Sequence, residues 1–252
     1  MEKSQSTLST WFWGAYLVTT QTPGQSALQF QRQLEIKRYE KAFLMLHKLR
    51  AGMVRPERDC IGESRPVEVD ECLVGGRTRG EGKGVHHKAT VVGAVEVRTR
   101  DAGDDKKHKR AIYGGRLRLR MVDGRGSENL MAFVTENVAK GATVKTDGWQ
   151  GYDGLPALGY SHDPLVLGGD PEKTQAHLPM IHIVFSNLKT WLLGTHHGVS
   201  QTHLQAYLNE FVFRFNRRFY PMNAFNSVLG ISVRSEAPTY AALYSGEWTH
   251  PR

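Results

Sequence analysis

Between Pro66 and Gly76 the chain reads Val67-Glu68-Val69-Asp70-Glu71-Cys72-Leu73-Val74, an apolar, β-branched run that holds three carboxylates and no Lys or Arg. Such a run, closed by Gly75-Gly76, predicts a β-strand. A strand buried on both faces cannot carry ionised carboxylates alone, because each costs several kcal/mol on leaving water unless something positive meets it. Two arrangements satisfy this constraint. Metal ions can lie beside an internal strand, which makes Glu68, Asp70 and Glu71 candidate ligands. Alternatively, an edge strand can turn its carboxylates to water, which makes them ordinary surface charge.

The segments around this strand set the fold class. Ala89 to Val97 is β-branched and predicts a second strand. Arg116 to Val122 alternates basic and apolar residues, as a half-exposed third strand would. Asp101 to Arg110 between them is a charged hairpin or loop. Ser127 caps a predicted helix that ends near Lys140-Gly141, Thr143 to Thr146 is a short strand, and Gly148 to Leu158 is a loop with a short helix. Pro179 opens a helix to about Leu193. Another follows Ser200 and ends in Arg214-Phe215-Asn216-Arg217-Arg218-Phe219-Tyr220. Three strands, a helix, a strand and then helices is the order of an RNase H-like α/β domain, a mixed sheet with flanking helices.

Residues 1–55 read as helical. Ser9 or Thr10 caps a first helix, Thr22-Pro23-Gly24 breaks it, and Ser26 caps a second helix through Leu34. A third runs from about Arg38 to Met53, with Ala42, Leu46, Leu49 and Met53 at helical spacing. Lys37, Arg38, Lys41, Lys48 and Arg50 make it basic. Helix, short turn and basic helix fit a helix-turn-helix-like DNA reader; a plain three-helix bundle with a solvated basic face fits equally. The expected organisation is a helical region at 1–55, a linker at 56–65, a catalytic domain at 66–230 and a tail at 231–252.

Lys and Arg total 33 against 25 Asp and Glu, a net charge of +8. That excess favours a polyanionic partner, nucleic acid first, although a merely basic protein reads the same. Cys60 and Cys72 form no CxxC pair, which excludes a zinc ribbon and a disulfide framework within this sequence. The start Met1-Glu2-Lys3-Ser4 has no signal-peptide pattern, and the apolar run Trp11 to Val18 is far short of the roughly 20 residues of a membrane span. The expectation is a cytoplasmic protein with no membrane partner.

Two further groups can carry chemistry. Asp147 follows a short strand and precedes Gly148, where α/β sheets place ligand-binding groups; an Asx turn reads the same way. On the helix after Pro179, His182 and Lys189 are seven residues apart and share a face, with Ser186 between them. Asn187, five residues past His182, points away. A lone histidine is as readily a satisfied core or surface residue.

Three segments, VEVDECLVGG, VKTDGWQGY and HIVFSNLKTWLLGTHHGVSQTHLQAYLNEFVFRFNRR, resemble insertion-sequence transposases of the ISXO-like group, and the likeness runs from the N-terminal helices to about residue 230. The resemblance implies an RNase H-like domain with a DDE-type triad, in which the Asp of VDE is Asp70 and the Asp of TDG is Asp147. In the family the third residue precedes the Gly of the GT motif by twelve, and a Lys follows it by seven. Counting back from Gly194 gives His182 (194 − 12), and seven on gives Lys189. The interval from Asp147 to His182 is 35 (182 − 147), the spacing familiar in DDE enzymes. Most relatives carry Glu or Asn at that position, and Asn187 is the rival here.

The resemblance further implies two divalent ions, Mg²⁺ or Mn²⁺, on Asp70, Asp147 and His182, with His182 either a ligand or a proton shuttle. Lys189 would lie beside a phosphate, and Arg214, Arg217 and Arg218 would contact the DNA backbone or form structural pairs. The implied partner is double-stranded DNA, both terminal inverted repeats and target, bound by a homo-oligomer at the nucleoid. The implied activity is cleavage at element ends and strand transfer. Relatives commonly carry an N-terminal zinc ribbon ahead of the helices. Its lack here, together with His182, raises a second expectation, a decayed remnant that only binds DNA; a housekeeping nuclease is the third.

Overall fold

The computed structural model describes every residue except 1–3, 23, 56–58, 76–87, 101–110, 235–237 and 246–252. The charged segment 101–110, Pro23 of the expected first break, and parts of the linker and the tail therefore lie outside the described residues. Two compact units form: Arg58–Thr190, and Met1–Glu57 together with Trp191–Arg252. The second unit joins both ends of the chain, so the part of segment 66–230 that begins at Trp191 packs with the N-terminal helices.

The first unit holds a five-stranded sheet. Its strands are β1 (Val67–Val74), β2 (Ala89–Thr99), β3 (Ile112–Val122), β4 (Thr143–Thr146) and β5 (Ser161–Pro164), in the order β3-β2-β1-β4-β5. β1 pairs antiparallel with β2 and parallel with β4, β2 pairs antiparallel with β3, and β4 pairs parallel with β5. The acidic strand is thus central rather than an edge, which removes the reading of its carboxylates as surface charge. Helix α4 (Ser127–Asn137) covers one face, where Leu130, Phe133 and Val134 pack on Val67, Val69, Val92, Ala94 and Val144. This mixed sheet flanked by helices is an RNase H-like α/β fold.

Helix α6 (Pro179–His196) lies on the opposite face through its buried residues Ile181 and Phe185. Gly93 of β2, registered opposite Asp70, makes that approach possible. A Cβ there would stand 2.9 Å from Ile181 Cδ1, 2.9 Å from Leu119 Cδ2 and 3.0 Å from Phe185 Cε1.

The other unit is helical, built from α1 (Leu8–Thr20), α2 (Ala27–Gln33), α3 (Tyr39–Ala51), α7 (Gln201–Phe215), α8 (Met222–Ser232) and α9 (Tyr240–Ser245). Its core joins Trp11, Val18, Phe30 and Leu46 to Phe213, Val228 and Ile231. Arg50 is buried in an ion pair with Glu210, Nε to Oε2 at 2.8 Å, and so is absent from the basic face expected on the third helix. Lys37, Arg38 and Lys41 remain exposed around the turn between α2 and α3 and on the start of α3. Ser26 caps α2 by accepting the Gln29 N–H at 3.2 Å. Thr7, not Ser9 or Thr10, caps α1, while Ser127 is the first helical residue of α4 rather than its cap. No helix among the described residues is long and apolar enough to cross a membrane.

Candidate active site

β1 sends its carboxylates to both faces of the sheet. Alternation turns Val67, Val69 and Glu71 toward the α4 side, and Glu68, Asp70 and Cys72 toward the α6 side. The parallel register of β1 with β4 pairs Val67 with Val144 and Glu68 with Lys145. Two residues further on, this register brings Asp147 alongside Asp70, at the carboxyl end of β4 where α/β sheets expose ligand-binding groups. There, one oxygen each of Asp70, Glu71 and Asp147 lies within 4.8 Å of the other two. Gly148 turns the chain away at φ 76°, and Asp147 Oδ1 accepts the Trp149 N–H at 3.0 Å. Asp147 is therefore both an Asx turn and a member of the cluster.

Three carboxylates this close repel one another. Burial first, and then the charge of Glu71, push the Asp70 carboxyl up to about 7; Asp147 adds to the rise, while the Glu71 N–H and Arg125 oppose it. Glu71 has its own partners. Arg125 pairs with Oε1, and the Tyr152 hydroxyl donates to Oε2 at 2.6 Å. Burial, and then Glu71, hold the Tyr152 hydroxyl well above its ordinary pKa, so it stays a proton donor. The Arg125 guanidinium is 3.9 Å from Asp147 Oδ2 and stacks 4.7 Å over the Trp149 ring, whose indole N–H donates to the Arg125 carbonyl at 3.1 Å.

Both oxygens of Glu71 are thus engaged by a cation and a hydroxyl, while Asp70 Oδ1 accepts the Glu71 N–H at 2.8 Å and Asp147 Oδ1 accepts the Trp149 N–H. Hard carboxylate oxygens at this separation fit a divalent cation.

His182 of α6 joins them, with Nε2 3.3 Å from Asp70 Oδ2. Burial lowers its pKa, Asp147 raises it and Lys189 lowers it, with a net fall, so the ring is neutral at pH 7. Lys189 is exposed two turns further along α6, and its charge acts on both the His182 ring and the Cys72 thiol. Asn187 is exposed, and among the described residues no hydrogen bond joins it to the carboxylates. Glu68 is not in the cluster; it accepts the backbone N–H groups of Met180 and Ile181.

Arg214 donates to the backbone carbonyls of Val18 and Gln21 at the end of α1, a structural role in the helical unit. Arg217 stacks on Phe213 at 3.9 Å and Arg218 on Phe215 at 3.8 Å, both half-buried. Cys60 and Cys72 are free thiols.

Arg125 and Tyr152 were not singled out from the sequence. Tyr152 stands in the quoted VKTDGWQGY segment and could have been found there, whereas Arg125 lies in a polar turn that carries no pattern. The sequence profile of the ISXO2-like transposase domain matches residues 62–216, a shorter span than the likeness noted above and one that leaves out the N-terminal helices. No curated protein and no solved structure matches the chain. The profile covers more than half of the sequence and includes the strand, the turn and the helix that bring Asp70, Asp147 and His182 together, so the chain belongs to the ISXO2-like family of insertion-sequence DDE-type transposases.

Proposed function

We propose that this transposase cleaves DNA at the terminal inverted repeats of its insertion sequence and joins the freed 3′-hydroxyl to target DNA in the same site. The observation that carries the reading is the convergence of Asp70 and Asp147, from separate strands, beside His182. Asp70, Asp147 and His182 would hold two divalent ions, Mg²⁺ or Mn²⁺. When bound, these ions neutralise charge on the scissile phosphate and activate the attacking water or 3′-hydroxyl.

The remaining work falls to side chains. In the alternative to ligating an ion, neutral His182 accepts a proton from the attacking oxygen or returns one to the leaving oxygen. Lys189 places a point charge beside a neighbouring phosphate. Tyr152 and Arg125 fix Glu71, and Arg125 offsets the summed negative charge of the carboxylate cluster. Lys37, Arg38 and Lys41, exposed around the turn and the start of α3, supply backbone contacts to duplex DNA. Synapsis of two ends calls for a homo-oligomer on DNA at the nucleoid. The domain reading is a catalytic segment at 66–230 preceded by a helical DNA-binding region at 1–55.

The test incubates the purified protein with end oligonucleotides and plasmid in Mg²⁺ and in Mn²⁺. Joined products should form with wild type and fall to background with Asp70→Asn and with Asp147→Asn, while all three bind DNA. Joining by either variant would remove that residue from the site. His182 at the third position supports one alternative, a remnant that only binds DNA; binding without cleavage in either metal would favour it.

A further inference from the structure

Glu68 is the carboxylate of β1 that the cluster leaves out, and it is 1% exposed. Its Oε2 accepts two backbone N–H groups, from Met180 at 2.7 Å and Ile181 at 2.8 Å. These are the second and third residues of α6, whose N–H groups have no partner inside a helix and are ordinarily met by an oxygen-bearing side chain at the N-cap. The residue before α6 is Leu178, which has no such oxygen. The cap comes instead from β1, 112 residues upstream of Met180. The two N–H groups and the positive end of the helix offset part of the cost of burying the carboxylate.

The contact fixes more than a helix end. His182 directly follows the capped pair, and Asp70 lies two residues beyond Glu68 on the same face of β1. Two adjacent residues of α6 are therefore tied to one strand position, and the next residue meets the reactive carboxylate at 3.3 Å. Packing over Gly93 brings α6 close to the sheet, and the cap ties its first turn to one position on β1. We infer that Glu68 is a positioning residue, which clamps the first turn of α6 to β1 and so holds His182 against Asp70. This inference rests on the reading of His182 as part of the reaction centre.

The test pairs amide hydrogen exchange with joining kinetics. Glu68→Gln keeps a carbonyl oxygen at the same reach, Glu68→Asp shortens the side chain by one methylene, and Glu68→Ala removes the acceptor. With Glu68→Ala, exchange at Met180 and Ile181 should speed up about tenfold or more, as loss of a buried hydrogen bond to a charged group implies. The maximal joining rate should fall by a similar factor, with the DNA concentration for half-maximal joining unchanged. Glu68→Gln should restore both quantities.

Wild-type exchange in Glu68→Ala would overturn the cap. Equal impairment of Glu68→Gln and Glu68→Ala would assign the role to charge instead of to position. If Glu68→Ala does not fold, Glu68→Asp should show the same faster exchange and slower joining, and wild-type behaviour there would overturn the proposal. Failure of the wild type itself to join ends counts against the transposition reading, and the exchange comparison then decides the cap on its own.

Discussion

Asp70 and Glu68 are buried acids whose carboxyls are both pushed up to about 7, Asp70 by burial and then the charge of Glu71, Glu68 by burial against the pull of two backbone N–H groups. Their ordinary values are 3.8 and 4.5. Between those values and 7 the folded protein keeps protons that the unfolded chain has released. These two carboxyls should therefore withdraw stability from the metal-free protein as pH rises from about 4 to 7, against the buried histidines His47 and His196, whose lowered pKa values act the other way up to about 6.5, so the carboxyl contribution is read by comparison with a variant. Urea unfolding in EDTA at pH 5 and pH 7.5 measures the difference, which should shift toward stabilisation in Asp70→Asn; an unchanged difference would contradict the assignment. Metal affinity should run the opposite way and rise with pH through 7, because ligation requires the ionised carboxylate. At this scale the sequence was informative where spacing is rigid. The likeness to the family singled out Asp70, Asp147 and His182, and the three do lie together. The split among Glu68, Asp70 and Glu71 was not legible, because alternation says which face a residue takes but not what waits there.

The elements that could be read in advance are those that owe their form to burial. β1, β2, β3, α4, β4 and α6 each carry an apolar pattern. β5 could not be read: Ser161-His162-Asp163-Pro164 is largely exposed and is held by parallel backbone pairing to β4, which leaves no mark on side-chain choice. α5 (Pro171–His177) is likewise short and mostly polar, and is started by Asp170, which accepts the Glu172 and Lys173 N–H groups. The seating of α6 depends on a side chain that is missing. Gly93→Val would drive two methyl groups into Ile181, Leu119 and Phe185, all buried, and should cost about 1–3 kcal/mol by overpacking. Thermal or urea unfolding checks this, and joining should fall more than stability alone explains if α6 lifts His182 away from Asp70. A variant of wild-type stability would mean that the neighbours yield freely.

Across the whole molecule, the buried Arg50–Glu210 pair ties two ends of the chain 160 residues apart inside the helical unit. Arg50→Met should leave Glu210 without its cation and destabilise that unit by about 3–5 kcal/mol, whereas replacing both partners by apolar residues should cost much less. A double-mutant cycle in urea measures the coupling, and additive losses would mean that the pair contributes little. The expected boundaries ran along the chain because composition changes along the chain; pattern carries no signal for a core assembled from both ends. That arrangement has a consequence for synthesis. Residues 58–190 emerge from the ribosome as a complete compact unit, able to bury their own core at once. Trp11, Phe30 and Leu46 emerge first but have no Phe213, Val228 or Ile231 to pack on until nearly the whole chain is made. At ~5–20 residues per second that delay is on the order of ten seconds or more, so the earliest-made helices are the last to finish folding and the part most in need of protection while they wait.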